Sequence, residues 1–101
     1  MTEAFVSIEA KQDLFAIWEF IARDSVDAAD RVETEFYEMF ASLARMPEQG
    51  YRRTDLSKRP VRFFPLYSYI IVYQPEANPV RIMAVLHGNR NLKRLLKERS
   101  L

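Results

Sequence analysis

The chain contains no cysteine, only two glycines and a single histidine in 101 residues. The missing cysteines exclude disulfides and thiolate chemistry, and they argue against a secreted fold held by covalent staples. With Gly50 and Gly88 the only glycines, there is no phosphate-cradling loop. One histidine without cysteine gives no convincing zinc set, and neither a metal nor a cofactor is expected. No apolar run reaches the roughly 18–20 residues of a membrane span. Glu3 and Glu9 interrupt the N-terminal region, so it does not read as a signal peptide. A soluble cytoplasmic protein is the default expectation. The length suits a single domain over residues 1–101 with one two-layer core.

Charge is unevenly placed. Residues 1–50 hold eleven acids and four bases, whereas residues 51–101 hold three acids and eleven bases. Opposed halves point to an acidic or polyanionic partner on the basic side. The alternative is that acidic helices simply pack beside a basic sheet.

The pattern predicts secondary structure along the whole chain. Residues 4–7 suit a short strand, after which Ser7 caps a helix from Ile8 to about Arg23, with Glu9 in its first turn. Leu14, Ile17, Trp18 and Ile21 form its apolar stripe, widened by Phe15 and Ala22. Phe20 lies off the stripe, beside Asp13 and Asp24, either as an accidental exposure or as a docking patch. Asp24 and Ser25 break this helix and cap a second, Val26 to about Arg45. Ala29, Val32, Phe36, Met39, Phe40 and Leu43 make the second helix's apolar face. The short link makes the pair an antiparallel hairpin, ended by Met46, Pro47 and Gly50.

Residues 48–60 read as a polar, basic loop with room for a short strand at 51–54. Three strands follow at 61–64, 68–73 and 80–86, linked by turns at 65–67 and 74–79, as an antiparallel meander. In the last strand Val80, Ile82, Ala84 and Leu86 are expected to face the helices, and Arg81, Met83, Val85 and His87 to face away. Asn91 caps a short basic helix, Leu92 to about Arg99. The fold class is α+β: an N-terminal strand, an antiparallel two-helix hairpin on a small antiparallel sheet, and a short C-terminal helix.

Chemistry is sparse. A serine triad would need His87 with a serine such as Ser68, and no nucleophile elbow surrounds it. His87, Arg81 and Arg90 could supply part of a ribonuclease site, which needs a base, an acid and cations for a charged transition state. Equally, His87 reads as a strand-end residue bonded to backbone.

The segments AKQDLFAIWEFIA (10–22), Asp24-Ser25, AAD (28–30), Leu43-Ala44 to Pro47-Gly50, YSYIIVYQP and VRIMAVLHGNRNL together resemble the RelE/ParE superfamily of type II toxins, most closely its ParE branch. The resemblance covers nearly the whole chain. It implies a small toxin neutralised by a cognate, ParD-like antitoxin. RelE-like members cleave mRNA on the ribosome, whereas ParE-like members are associated with inhibition of DNA gyrase. Arg90 matches the post-strand arginine of the nuclease branch. Its middle-strand basic position falls near Ile70, its preceding-strand positions near Val61 and Phe63, and its C-terminal tyrosine near Leu96. Most of the nuclease set is therefore missing, which favours the gyrase-binding branch without catalysis. An endoribonuclease or a non-toxic antitoxin-binding remnant are the alternatives.

An acidic antitoxin segment, disordered when free, is expected to set apolar anchors near Phe15, Phe20 or Tyr37. Its acids are expected at Arg52, Arg53, Arg62 or Arg81, with Arg90 and Arg94 also candidate contacts. Sequence-specific nucleic-acid binding is not expected.

Overall fold

The computed structural model describes residues 3–88 and 91–101. Strand β1 (Phe5–Val6) leads into helices α1 (Ile8–Ala22) and α2 (Val26–Arg45) and a 3-10 turn at Pro47–Gln49. Strands β2 (Arg62–Leu66), β3 (Tyr69–Gln74) and β4 (Arg81–His87) follow, then helix α3 (Leu92–Glu98). The sheet order is β1-β4-β3-β2. The expected meander forms β2, β3 and β4, while β1 adds at the β4 edge in parallel, making the sheet mixed.

The helices start where short polar side chains satisfy free backbone N–H groups. Ser7, Ser25 and Asn91 accept from the N–H of Ala10, Ala28 and Arg94 respectively. Trp18 ties α1 to α2 by donating its indole N–H to Asp30 Oδ1 at 2.8 Å.

Two adjustments separate the sheet from its expected form. Pro65 lies within β2, opposite Ile70, so the hairpin turn shrinks to Tyr67-Ser68 with Tyr67 at φ 57°. Proline is tolerated there because β2 is an edge strand, so the N–H that proline lacks is not needed to bond a further strand. The rest of that edge is closed by reciprocal bonds of 2.9 Å between Tyr51 and Phe63.

The second adjustment is a bulge in β4. Tyr73 pairs with Ile82 and Val72 with Ala84, leaving Met83 without an opposite residue. One extra residue exchanges the two faces beyond it. Val80 and Ile82 face the helical hairpin as expected, but Val85 joins them there, whereas Ala84 and Leu86 turn to the opposite face. The expected strict alternation along 80–86 is thus corrected by the bulge.

Two cores result. One lies between the hairpin and the sheet, around Leu14, Phe36, Phe40, Leu43, Ile71 and Tyr73. The other lies under α3 and the 51–60 loop, around Phe63, Val72, Leu86 and Leu96, with Leu56 and Leu101 at its margin. The hairpin covers one sheet face, and α3 with the loop covers the other.

Tyr73 is fully buried and its hydroxyl joins the end of α2 to the sheet. It accepts from Gly50 N–H at 2.8 Å and donates to Pro47 C=O at 2.7 Å. Burial holds its phenol above the ordinary value. A Cβ at Gly50 would stand 2.5 Å from that hydroxyl and 2.8 Å from Phe63 C=O, so only glycine admits this approach. Tyr73→Phe orphans both backbone groups and is expected to destabilise the fold by about 1–3 kcal/mol. Urea unfolding checks this, with the midpoint falling and the m-value unchanged.

Candidate functional site

A groove of about 520 Å³ opens between α1, the far end of β4 and α3. Asp13, Ala16, Ile17 and Phe20 line it from α1, Tyr69, Val85, Leu86 and His87 from the sheet, and Leu95 and Arg99 from the C-terminal segment. Asp13 and Phe20 are seven residues apart and so share one side of α1. That side does not point to open water but to α3.

The groove is organised by the Asp13 carboxylate. Its Oδ2 accepts from Val85 N–H at 3.0 Å and from Arg99 Nη1 at 3.0 Å, and its Oδ1 accepts from Arg99 Nη2 at 2.6 Å. The side chain of Asp13 is only 12% exposed, and the bidentate geometry is the strong form of this pair. The Asp13 hydrogen bond is the main reason that the Arg99 guanidinium is held above its ordinary pKa. The bulge explains why Val85 N–H needs a side chain. β1 pairs with β4 only at Arg81 and Ile82, so the strand edge beyond them has no neighbouring strand. Ser7 Oγ takes the Met83 carbonyl at 3.2 Å, and Asp13 takes Val85 N–H.

The aromatic end of the groove is equally built. Tyr69 packs edge-on to His87 at 5.3 Å between ring centroids and edge-on to Phe36 at 6.1 Å. Phe20, 63% exposed, stands at the groove with Arg23 over its ring at 5.9 Å. An exposed phenylalanine beside Ile17, Tyr69 and Leu95 forms an apolar surface with polar groups at the base, the composition of a protein-docking groove.

The sequence-predicted contact residues do not form one patch. Phe20 is in the groove, but Phe15 is exposed elsewhere on α1 rather than widening its buried stripe. Tyr37 lies on α2 against Phe40, with burial and Glu33 raising its phenol pKa. Arg52 and Arg62 share a crevice with Glu48 and Glu76, where Arg62 donates to Gly50 C=O at 2.7 Å. Arg53 pairs with Asp55 at 2.7 Å in water and Arg94 pairs with Glu98 at 3.5 Å. Arg81 is spread over the Phe5 ring at 4.6 Å. Arg90 lies outside the described residues.

The conditional nuclease set is not assembled among the described residues. Arg81 and His87 occupy opposite ends of β4, about 20 Å apart at roughly 3.3 Å per residue. Val61, Phe63 and Leu96 are buried in the core under α3, and Ile70 packs against it.

Sequence reasoning found Phe20 but missed Asp13 and Arg99. An acid on the same side of a helix as an exposed aromatic is the signal the sequence offers for Asp13. The Asp13–Arg99 pair is expected to couple by about 1–2 kcal/mol, between exposed and well-buried pairs. A double-mutant cycle of Asp13→Asn and Arg99→Gln measures it; strictly additive losses would remove the pair from the account. Asn at this position keeps an acceptor for Val85 N–H, so the cycle isolates the charge.

The comparisons agree with this architecture. A family model described as the ParE toxin of type II toxin-antitoxin system, parDE, matches residues 5–92. A solved structure described as the chromosomal ParDE TA system from P. aeruginosa matches with a TM-score of 0.69 at 20% identity, covering 86% of this chain and 96% of that one. No curated protein matches by sequence. The fold is that of the ParDE neighbour, and the family model spans nearly all of the described chain. The chain belongs to the ParE toxin family of type II toxin–antitoxin systems.

Proposed function

We propose that this toxin acts in the cytoplasm by binding DNA gyrase, without catalysis of its own, and that its antitoxin neutralises it by docking in the α1–β4–α3 groove. The observation that carries the non-catalytic reading is the apolar filling of the nuclease positions. Val61, Phe63, Ile70 and Leu96 all serve the core under α3, where none can touch a phosphate. Arg81, spent on Phe5 at the wrong end of β4, offers no help to His87.

The groove supports the antitoxin half of the reading. Phe20, Ile17, Tyr69 and Leu95 give apolar anchor sites, the kind that dominate protein–protein affinity.

In a supercoiling assay, the purified chain is expected to inhibit DNA gyrase at no more than several-fold molar excess. Unaffected supercoiling at that excess would contradict the target. His87→Ala should leave growth arrest intact and cellular transcripts uncut; loss of arrest together with loss of transcript cleavage in the parent would favour an endoribonuclease. Phe20→Asp should weaken antitoxin binding at least tenfold by calorimetry, in line with loss of a central aromatic anchor.

A further inference from the structure

The charge asymmetry of the sequence becomes a layering in space. Helices α1 and α2 carry eight acids and three bases. On the opposite face of the sheet, the 51–60 loop and residues 91–101 carry eight bases and two acids. Both segments pack on the same core through Leu56, Leu92, Leu95 and Leu101, and Ser57 Oγ donates to Leu101 C=O. Lys93 is close enough to Asp55 to lower its carboxyl pKa, after the larger effect of the Arg53 hydrogen bond. Lys93 and Lys97, four residues apart, share one row of α3, while Leu95 and Arg99 turn toward the groove.

Some of these charges are already matched. Arg99 is held by Asp13, Arg53 by Asp55 and Arg94 by Glu98. Lys58, Arg59, Lys93 and Lys97 form no ion pair among the described residues, and Arg52 borders them beside Glu48 and Glu76. All five are exposed.

We infer that this basic layer, formed by the 51–60 loop and the Lys93–Lys97 row of α3, is a non-specific binding surface for the phosphate backbone of duplex nucleic acid. The absence of anchors argues against an acidic protein as its occupant. A stable protein interface needs desolvated apolar or aromatic side chains at its centre. Among the described residues, the exposed large apolar ones are Phe5, Ile8, Phe15, Phe20, Val26, Tyr37, Met46, Tyr51 and Tyr67. None lies within 52–60 or 91–101, and only Tyr51 touches the border. A phosphate backbone asks for charge and donors alone. The chain's net charge of +1 makes general attraction weak, so any affinity must come from this one face. The inference goes beyond gyrase binding and does not depend on it.

The experiment is fluorescence anisotropy of a labelled 20-base-pair duplex with the purified chain, without gyrase or antitoxin. Four to five phosphate contacts predict a log–log salt slope of about −4, a loss of affinity of about 250-fold between 50 and 200 mM salt. Lys58→Glu with Arg59→Glu, and separately Lys93→Glu with Lys97→Glu, should each lower the slope by about 2. Arg31→Glu on α2 should change neither slope nor affinity. Circular dichroism and thermal melting establish that the variants are folded. Absence of salt-dependent binding, or equal binding by the charge-reversed variants, overturns the inference. So does displacement of the duplex by poly-L-glutamate at equal charge concentration, which would assign the layer to acidic polypeptide.

Discussion

The Asp13 carboxylate is the interaction on which the working face of the molecule depends. It joins α1 to the strand edge through Val85 N–H and to the C-terminal segment through Arg99. A half-buried bidentate pair is favourable only when the remaining lone pairs are satisfied, and the strand N–H does that. The bulge at Met83 creates the need. It turns Val85 toward the hairpin core and Leu86 toward α3, so β4 feeds both cores and leaves its backbone edge to be capped by side chains. Groove, bulge and ion pair are one construction.

That construction separates two surfaces with different chemistry. The groove side carries exposed aromatic and aliphatic residues next to an acidic hairpin. Among the described residues, the α3 and loop side carries bases without ion pairs and, apart from Tyr51 at its border, no large exposed apolar residue. Protein recognition draws its energy from buried anchors, whereas polyanion binding draws it from charge and counterion release. The sheet keeps these apart. Val61, Phe63, Ile70 and Leu96, on the sheet and α3, seat α3 and the loop through the second core.

Local signals in the sequence were enough for most elements. Ser7, Ser25 and Asn91 are short polar residues directly before apolar periodic segments, and all three cap helices. Helix α2 runs over the residues its periodicity marks, because Pro47 and Gly50 stop it. Pro65 misled the turn assignment, since proline is excluded from central strands but not from an edge. The bulge had no local signature: a face assignment by period two holds only while pairing is regular. Of the candidate site, Phe20 was legible as an exposed aromatic off the apolar stripe. The Asp13–Arg99 contact joins residues 86 apart in the chain, and no spacing rule reaches that far. Arg52 and Arg62 share one crevice while Arg81 lies in another, and this has the same cause, because position in the sequence does not fix which side of a sheet a base occupies.

The central claim is that a protein partner and the basic layer use different faces. Titration of the isotope-labelled chain with the toxin-binding segment of its antitoxin, followed by amide NMR, tests it most directly. The account predicts shifts concentrated at Phe20, Tyr69, Val85, His87 and Leu95, with residues 52–59 and Lys93 little changed. Shifts concentrated on 52–59 and Lys93, with the groove silent, would contradict it.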